Sequence, residues 1–181
     1  HSADNQPDEM PSLQVAFFGT PYEQFPYELL GKRLKEISLA LAKEVDLRII
    51  GRQREGAGLS KLKEMADINN FKTTVTGELR ADEISHEFQI CALGISTTPY
   101  DIMGKSGATA AMLEHGLPIL AYDDGDTPVG NLFVSEPFHE QIFLLTEENK
   151  SGHLIKFMQK PARPFFDGVS HVGGKMLEVI R

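Results

Sequence analysis

Residues Tyr100 to Asp124 read YDIMGKSGATAAMLEHGLPILAYDD, and this stretch decides the fold. Gly104, Ser106 and Gly107 are small enough to let a ligand approach the backbone, and Ser106 is suited to cap a helix over Ala108 to Glu114. The first N–H groups of such a helix have no partner within it, and the aligned peptide dipoles place partial positive charge at the same end. A phosphate or pyrophosphate fits there. Lys105 adds a full positive charge, and the hydroxyls of Ser106 and Thr109 offer hydrogen bonds to phosphate oxygen. Gly116 is placed to end the helix in the left-handed conformation, Pro118 stops its continuation, and Ile119 to Tyr122 reads as a short buried strand. A capped helix start is also an ordinary feature of domains that bind nothing.

Working outward, short apolar runs alternate with stretches of helical period. Leu13 to Phe18 reads as a first strand, Tyr27 to Val45 as a helix, and Asp46 to Ile50 as a second strand. A loop rich in Gly and Arg covers Gly51 to Gly58, followed by a helix over Leu59 to Ile68 and a third strand over Phe71 to Val75. Asp82 to Phe88 is a short helix and Gln89 to Ile95 a fourth strand. Gln141 to Leu145 is a later apolar stretch, Glu147 to Lys160 is helical, and a final segment lies near Gly174 to Arg181. Such alternation predicts the α/β class, a Rossmann-like parallel sheet with helices on both faces. Ligands of such sheets bind beyond the carboxyl ends of the strands, where strand order reverses. Gly19 and Thr20, Gly51 and Arg52, and Lys105 with Ser106 then share one rim.

Composition sets the bounds. The 181 residues are 41% hydrophobic, with no apolar run of membrane-spanning length, as expected for one soluble domain. Residues 1–12 are polar and aperiodic and read as a linker or remnant, leaving 13–181 as the domain. The net charge of −8 argues against a general nucleic-acid or anionic-membrane surface, so phosphate affinity must come from a local site. The single Cys91 lies in the apolar run FQICALGI, which excludes an intramolecular disulfide and suits the core of a cytoplasmic protein. Asp123 and Asp124 suggest either a hard cation or a polar turn; Arg52 and Arg54 either a phosphate clamp or a solvated loop. His139 and His153 lack zinc-site spacing, and His115 reads as a helix-end histidine. The opening VAFFGTP is similar to that of formyltransferases acting on methionyl-tRNA, but the rest of their signature is missing.

The order of elements, with IIGR after the second strand, then TTVTGELRADEISHEF and SGATAAMLEHGLPIL, resembles the C-terminal, donor-binding half of a GT-B glycosyltransferase. The resemblance spans roughly Leu13 to Arg181. It implies a nucleotide-sugar donor whose diphosphate meets Ser106, Gly107, Ala108 and Thr109, with Lys105 or Arg52 offsetting its charge. It also implies that Gly19 and Thr20 line the cleft, that Thr76 to Arg80 lie near the base, and that no metal or cofactor is needed. An acceptor-binding N-terminal domain of the same protein is the implied partner, and the isolated domain is expected to bind donor without turning it over. Many retaining members carry a glutamate pair whose positions here hold Met103 and Ala111. Glu114, the nearest acid, is the remaining candidate for the donor, and no catalytic residue is assigned. A non-catalytic nucleotide-sugar-binding module and a nucleotide-sugar epimerase are the alternatives.

Overall fold

The computed structural model describes residues 12–124 and 138–159. Strand β1 (Ser12–Phe18) lies near the middle of a six-stranded sheet, with Val15 and Ala16 fully excluded from solvent. It pairs in parallel along its whole length with β2 (Glu44–Ile50), and on its other side with β4 (Leu93–Ile95). The sheet continues outward from β2 to β3 (Lys72–Gly77) and from β4 to β5 (Ile119–Ala121) and β6 (Ile142–Leu144). The resulting order, β3-β2-β1-β4-β5-β6, is that of a doubly wound Rossmann-like sheet, with every named pairing parallel. Ser12 opens β1, so the first strand starts one residue earlier than the expected linker boundary.

Side chains alternate across the sheet, and each face has its own core. On one face Val15, Phe17, Leu47, Ile49, Leu93 and Ile95 pack with α1 (Tyr27–Leu41), α2 (Ala57–Asn69) and α5 (Ser151–Met158). On the other, Ala16, Ile50, Ile119 and Ala121 pack with Phe88 of α3 (Ala81–Ile90) and with Met112 and Leu113 of α4 (Gly107–Glu114). Cys91 sits in this second core, where burial pushes its thiol up to about 12. Across β2 and α3, Arg48 donates to both oxygens of Glu87 at 2.6 and 3.0 Å, while buried Asp46 accepts from Thr74 at 2.9 Å. The outer strand β3 carries Lys72 at its start and meets β2 through a register shift between Ile49 and Ile50.

Several boundaries differ from the sequence expectation. The first helix ends at Leu41 rather than Val45: Ala42 turns left-handed at φ 49°, and Val45 pairs with Leu13. Leu41 and Val45 are four residues apart, so the helical period runs on into a strand. The fourth strand starts at Leu93 rather than Gln89, because α3 continues to Ile90 with Ile84 and Phe88 in the core. The fifth strand ends at Ala121, one residue short of Tyr122. The last described helix begins at Ser151 and ends at Met158, not Glu147 and Lys160.

Buried Arg33 on α1 grips the chain just before that last helix. Its guanidinium donates to the main-chain carbonyls of Thr146, Glu147 and Asn149 at 3.4, 3.0 and 3.0 Å and to Glu36 at 3.1 Å. The segment near Gly174 to Arg181, the rest of the Asp123–Asp126 turn and the linker 1–11 lie outside the described residues.

Arg33→Met removes the donors while keeping an apolar stem, and is expected to destabilise the fold by about 2 to 3 kcal/mol in denaturant melts, the cost of the charged hydrogen bonds that the buried guanidinium makes. The raised Cys91 thiol gives a second expectation, in stability against pH. An unfolded thiol ionises near 9.0, whereas the folded one stays neutral to about 12. Cys91 therefore contributes stability below pH ~9 that is lost as pH rises through that window, and Cys91→Ala should flatten the alkaline limb of the stability profile.

Candidate functional site

Strand order reverses between β1 and β4, and the carboxyl ends of these two strands form the floor of a cleft of about 570 Å³. Thr20 and Tyr22 border it from the loop after β1, Ser96, Thr97 and Thr98 from the end of β4, and Lys105, Ser106, Ala108 and Thr109 from the start of α4. Phe18 and Ile102 complete an apolar flank. Among the described residues its lining holds one cation, Lys105, and no carboxylate, amide or imidazole.

The turn that delivers α4 is built as the sequence suggests. A short 3-10 turn over Met103–Lys105 buries Met103 and leaves Lys105 exposed. Ser106 then caps α4, its Oγ accepting the Thr109 N–H at 3.2 Å and the Thr109 hydroxyl at 3.0 Å. Both bonds come from Thr109, which leaves the Ser106 proton for a ligand. Gly107 and Ala108 have N–H groups with no acceptor inside the helix. Beside Gly107 the space is open, with no atom within 4 Å of where a Cβ would stand. At the other end Gly116 takes φ 75°, the expected left-handed stop.

The candidate residues divide clearly. Gly19 turns at φ 91°, and a Cβ there would stand 2.9 Å from that of Ala108, so this glycine lets the β1 loop close on the helix start. Thr20 is locked to β4, its carbonyl accepting the Thr97 hydroxyl at 3.1 Å. Lys105, Ser106 and Ala108 come together with Thr20 in the cleft. Thr109 does so only from below: it is 2% exposed, and its hydroxyl meets Ser96 Oγ at 2.9 Å as well as Ser106. The hydroxyl expected to face phosphate is instead engaged by Ser96 and Ser106. Arg52 is exposed at the end of β2 and does not line the cleft. Glu114 closes α4 about 10 Å along the helix axis from its first residue and is also outside the lining.

The remaining candidates have structural surroundings. His115 Nδ1 lies 2.7 Å from the Ala111 carbonyl and Nε2 lies 2.9 Å from Ser85 Oγ, with its ring edge-on to Phe88. It joins α4 to α3. Thr76 Oγ1 accepts the Gly51 N–H at 3.0 Å, tying the loops after β2 and β3 together. No group of three or more metal-ligating side chains occurs among the described residues. Sequence reasoning passed over Ser96, Thr97 and Thr98, although a run of hydroxyl residues directly after the strand at the switch point is the available signal. It also passed over Tyr22 and Ile102, whose apolar character gives no hint of exposure.

No protein family and no curated protein matches this sequence. Among solved structures it is similar to the catalytic domain of cholesterol-alpha-glucosyltransferase from Helicobacter pylori, with a TM-score of 0.53 and 13% identity over 81% of this chain and 86% of that one. It is similar also to TarM, with a TM-score of 0.52 and 16% identity over 88% of this chain and 30% of that one, so it spans under a third of TarM's length. At these identities the likeness is one of architecture. No helix among the described residues is long and apolar enough to cross a membrane. Strand order, two-faced helical cover and structural similarity together give this chain the fold of a Rossmann-like domain of a GT-B glycosyltransferase.

Proposed function

We propose that this chain is the donor domain of a glycosyltransferase and that its cleft holds the diphosphate of a nucleotide sugar. The carrying observation is the convergence, at the point where strand order reverses, of the first turn of α4, the free proton of Ser106 and the ammonium of Lys105. A diphosphate there accepts hydrogen bonds from Gly107 and Ala108 N–H and from Ser106. Lys105 neutralises part of its charge. As the sugar–phosphate bond breaks, charge grows on the leaving diphosphate, and donors already oriented toward it lower the barrier without reorganisation. The group that activates the acceptor then comes from an N-terminal domain of the same protein, and the whole works in the cytoplasm without a cofactor.

One observation favours a second reading, a nucleotide-sugar-binding module without transfer activity. No carboxylate or histidine lines the cleft among the described residues, so the domain places neither of these proton-transfer groups there. The two readings share a ligand and differ in turnover.

Thermal-shift and calorimetric titration of the chain against UDP, GDP, ADP, TDP and their sugars tests the shared part. One base series is expected to stabilise the fold, by about 2.7 kcal/mol at a hundredfold excess over Kd. Silence across the panel overturns the assignment. Lys105→Ala is expected to weaken binding of the selected diphosphate about fivefold or more with the melting temperature of the free protein unchanged. Ser106→Asp separates capping from recognition, since aspartate caps a helix as well as serine but repels an anion. Retained stability with at least tenfold weaker binding is the expected result, and unaltered affinity places the anion elsewhere.

A further inference from the structure

Tyr22 borders the cleft and is 44% exposed although the loop carrying it is held at almost every residue. Thr20 is bonded to Thr97, and buried Pro21 lies so close to α2 that a Cβ on Gly58 would stand 2.0 Å from its carbonyl oxygen. The Tyr22 carbonyl accepts the Tyr27 hydroxyl at 2.7 Å, Glu23 accepts from Lys61 at 3.2 Å, and Phe25 stacks edge-on against Tyr27 and Tyr122. An aromatic side chain left open on a fixed backbone is a preformed contact surface, with little conformational freedom to lose on binding. Ile102, 38% exposed, borders the same space.

The chemistry around the ring narrows the ligand. A purine or pyrimidine is read along its edge by amide, carboxylate or similar planar partners, and the described lining has none. It offers instead the apolar surfaces of Phe18, Tyr22 and Ile102 beside the hydroxyl residues Thr20, Ser96, Thr97 and Thr98. A pyranose has the matching shape, one face of C–H groups and a rim of hydroxyls. We infer that Tyr22 is the stacking platform for a glycosyl ring and thereby a specificity-determining residue of the cleft. This rests on the diphosphate reading only for the direction from which the sugar arrives.

Saturation-transfer NMR on the full 181-residue chain, with methyl glucoside, methyl mannoside and methyl N-acetylglucosaminide as probes, tests the contact without any nucleotide. Saturation should reach the ring protons of one glycoside with the native protein and with Tyr22→Phe, and should vanish with Tyr22→Ala. Transfer that persists in Tyr22→Ala, or no transfer to any glycoside, overturns the inference. Calorimetry supplies the second arm. Tyr22→Ala should weaken a nucleotide sugar about 3- to 10-fold while leaving the parent diphosphate unchanged. Equal weakening of both means that the ring meets the nucleotide and refutes the proposal. If the diphosphate ignores Ser106→Asp while the glycoside still depends on Tyr22, the phosphate assignment fails and the sugar platform stands; the converse pattern removes the platform alone.

Discussion

The parallel pairing of β1 on both edges is the constraint on which the rest depends. Seven residue pairs with β2 and three with β4 bury β1 between two cores, so its side chains are apolar on both faces along most of its length. Once β1 is central, the chain must wind one way through β2 and β3 and the other way through β4, β5 and β6. The loops leaving β1 and β4 then turn toward opposite faces, and the space between them stays unfilled. The cleft is thus a result of topology before any polar residue contributes to it.

What the polar residues add is orientation. Ser106 is held by the backbone and hydroxyl of Thr109, and the Thr109 hydroxyl in turn lies 2.9 Å from that of Ser96. The cap is therefore fixed from strand β4 as well as from its own helix. Thr97 performs the same service for the β1 loop. Three consecutive residues after β4 join the two sides of the cleft, which is why a strand of only three residues governs its geometry.

Much of this was legible in the sequence. Alternating apolar runs identify the class and five of the six strands, the sixth being marked only as an apolar stretch, and the Ser106, Gly116 and Pro118 punctuation locates α4 to within a residue. The reading failed where local pattern and tertiary demand coincide misleadingly. Leu41 and Val45 continue a helical period across a real break, and the segment before Ser151 looks helical until the carbonyl grip of Arg33, more than a hundred residues away in sequence, is known. The site divides similarly. Lys105, Ser106 and Ala108 follow from the cap motif, whereas burial of the Thr109 hydroxyl, exclusion of Arg52 from the lining and exposure of Tyr22 depend on how separate loops pack.

The strand β3 has a different consequence, for solubility. As the outermost strand on its side among the described residues it presents an edge, the kind of surface on which chains add to one another indefinitely. Here the strand is six residues long, starts with the ammonium of Lys72, and leaves a regular register at the shift beside Ile49 and Ile50. A second copy attempting to extend the sheet would meet a charge at one end and a twisted ladder at the other. The same irregularity that shapes the loop after β2 thus guards the sheet against polymerisation.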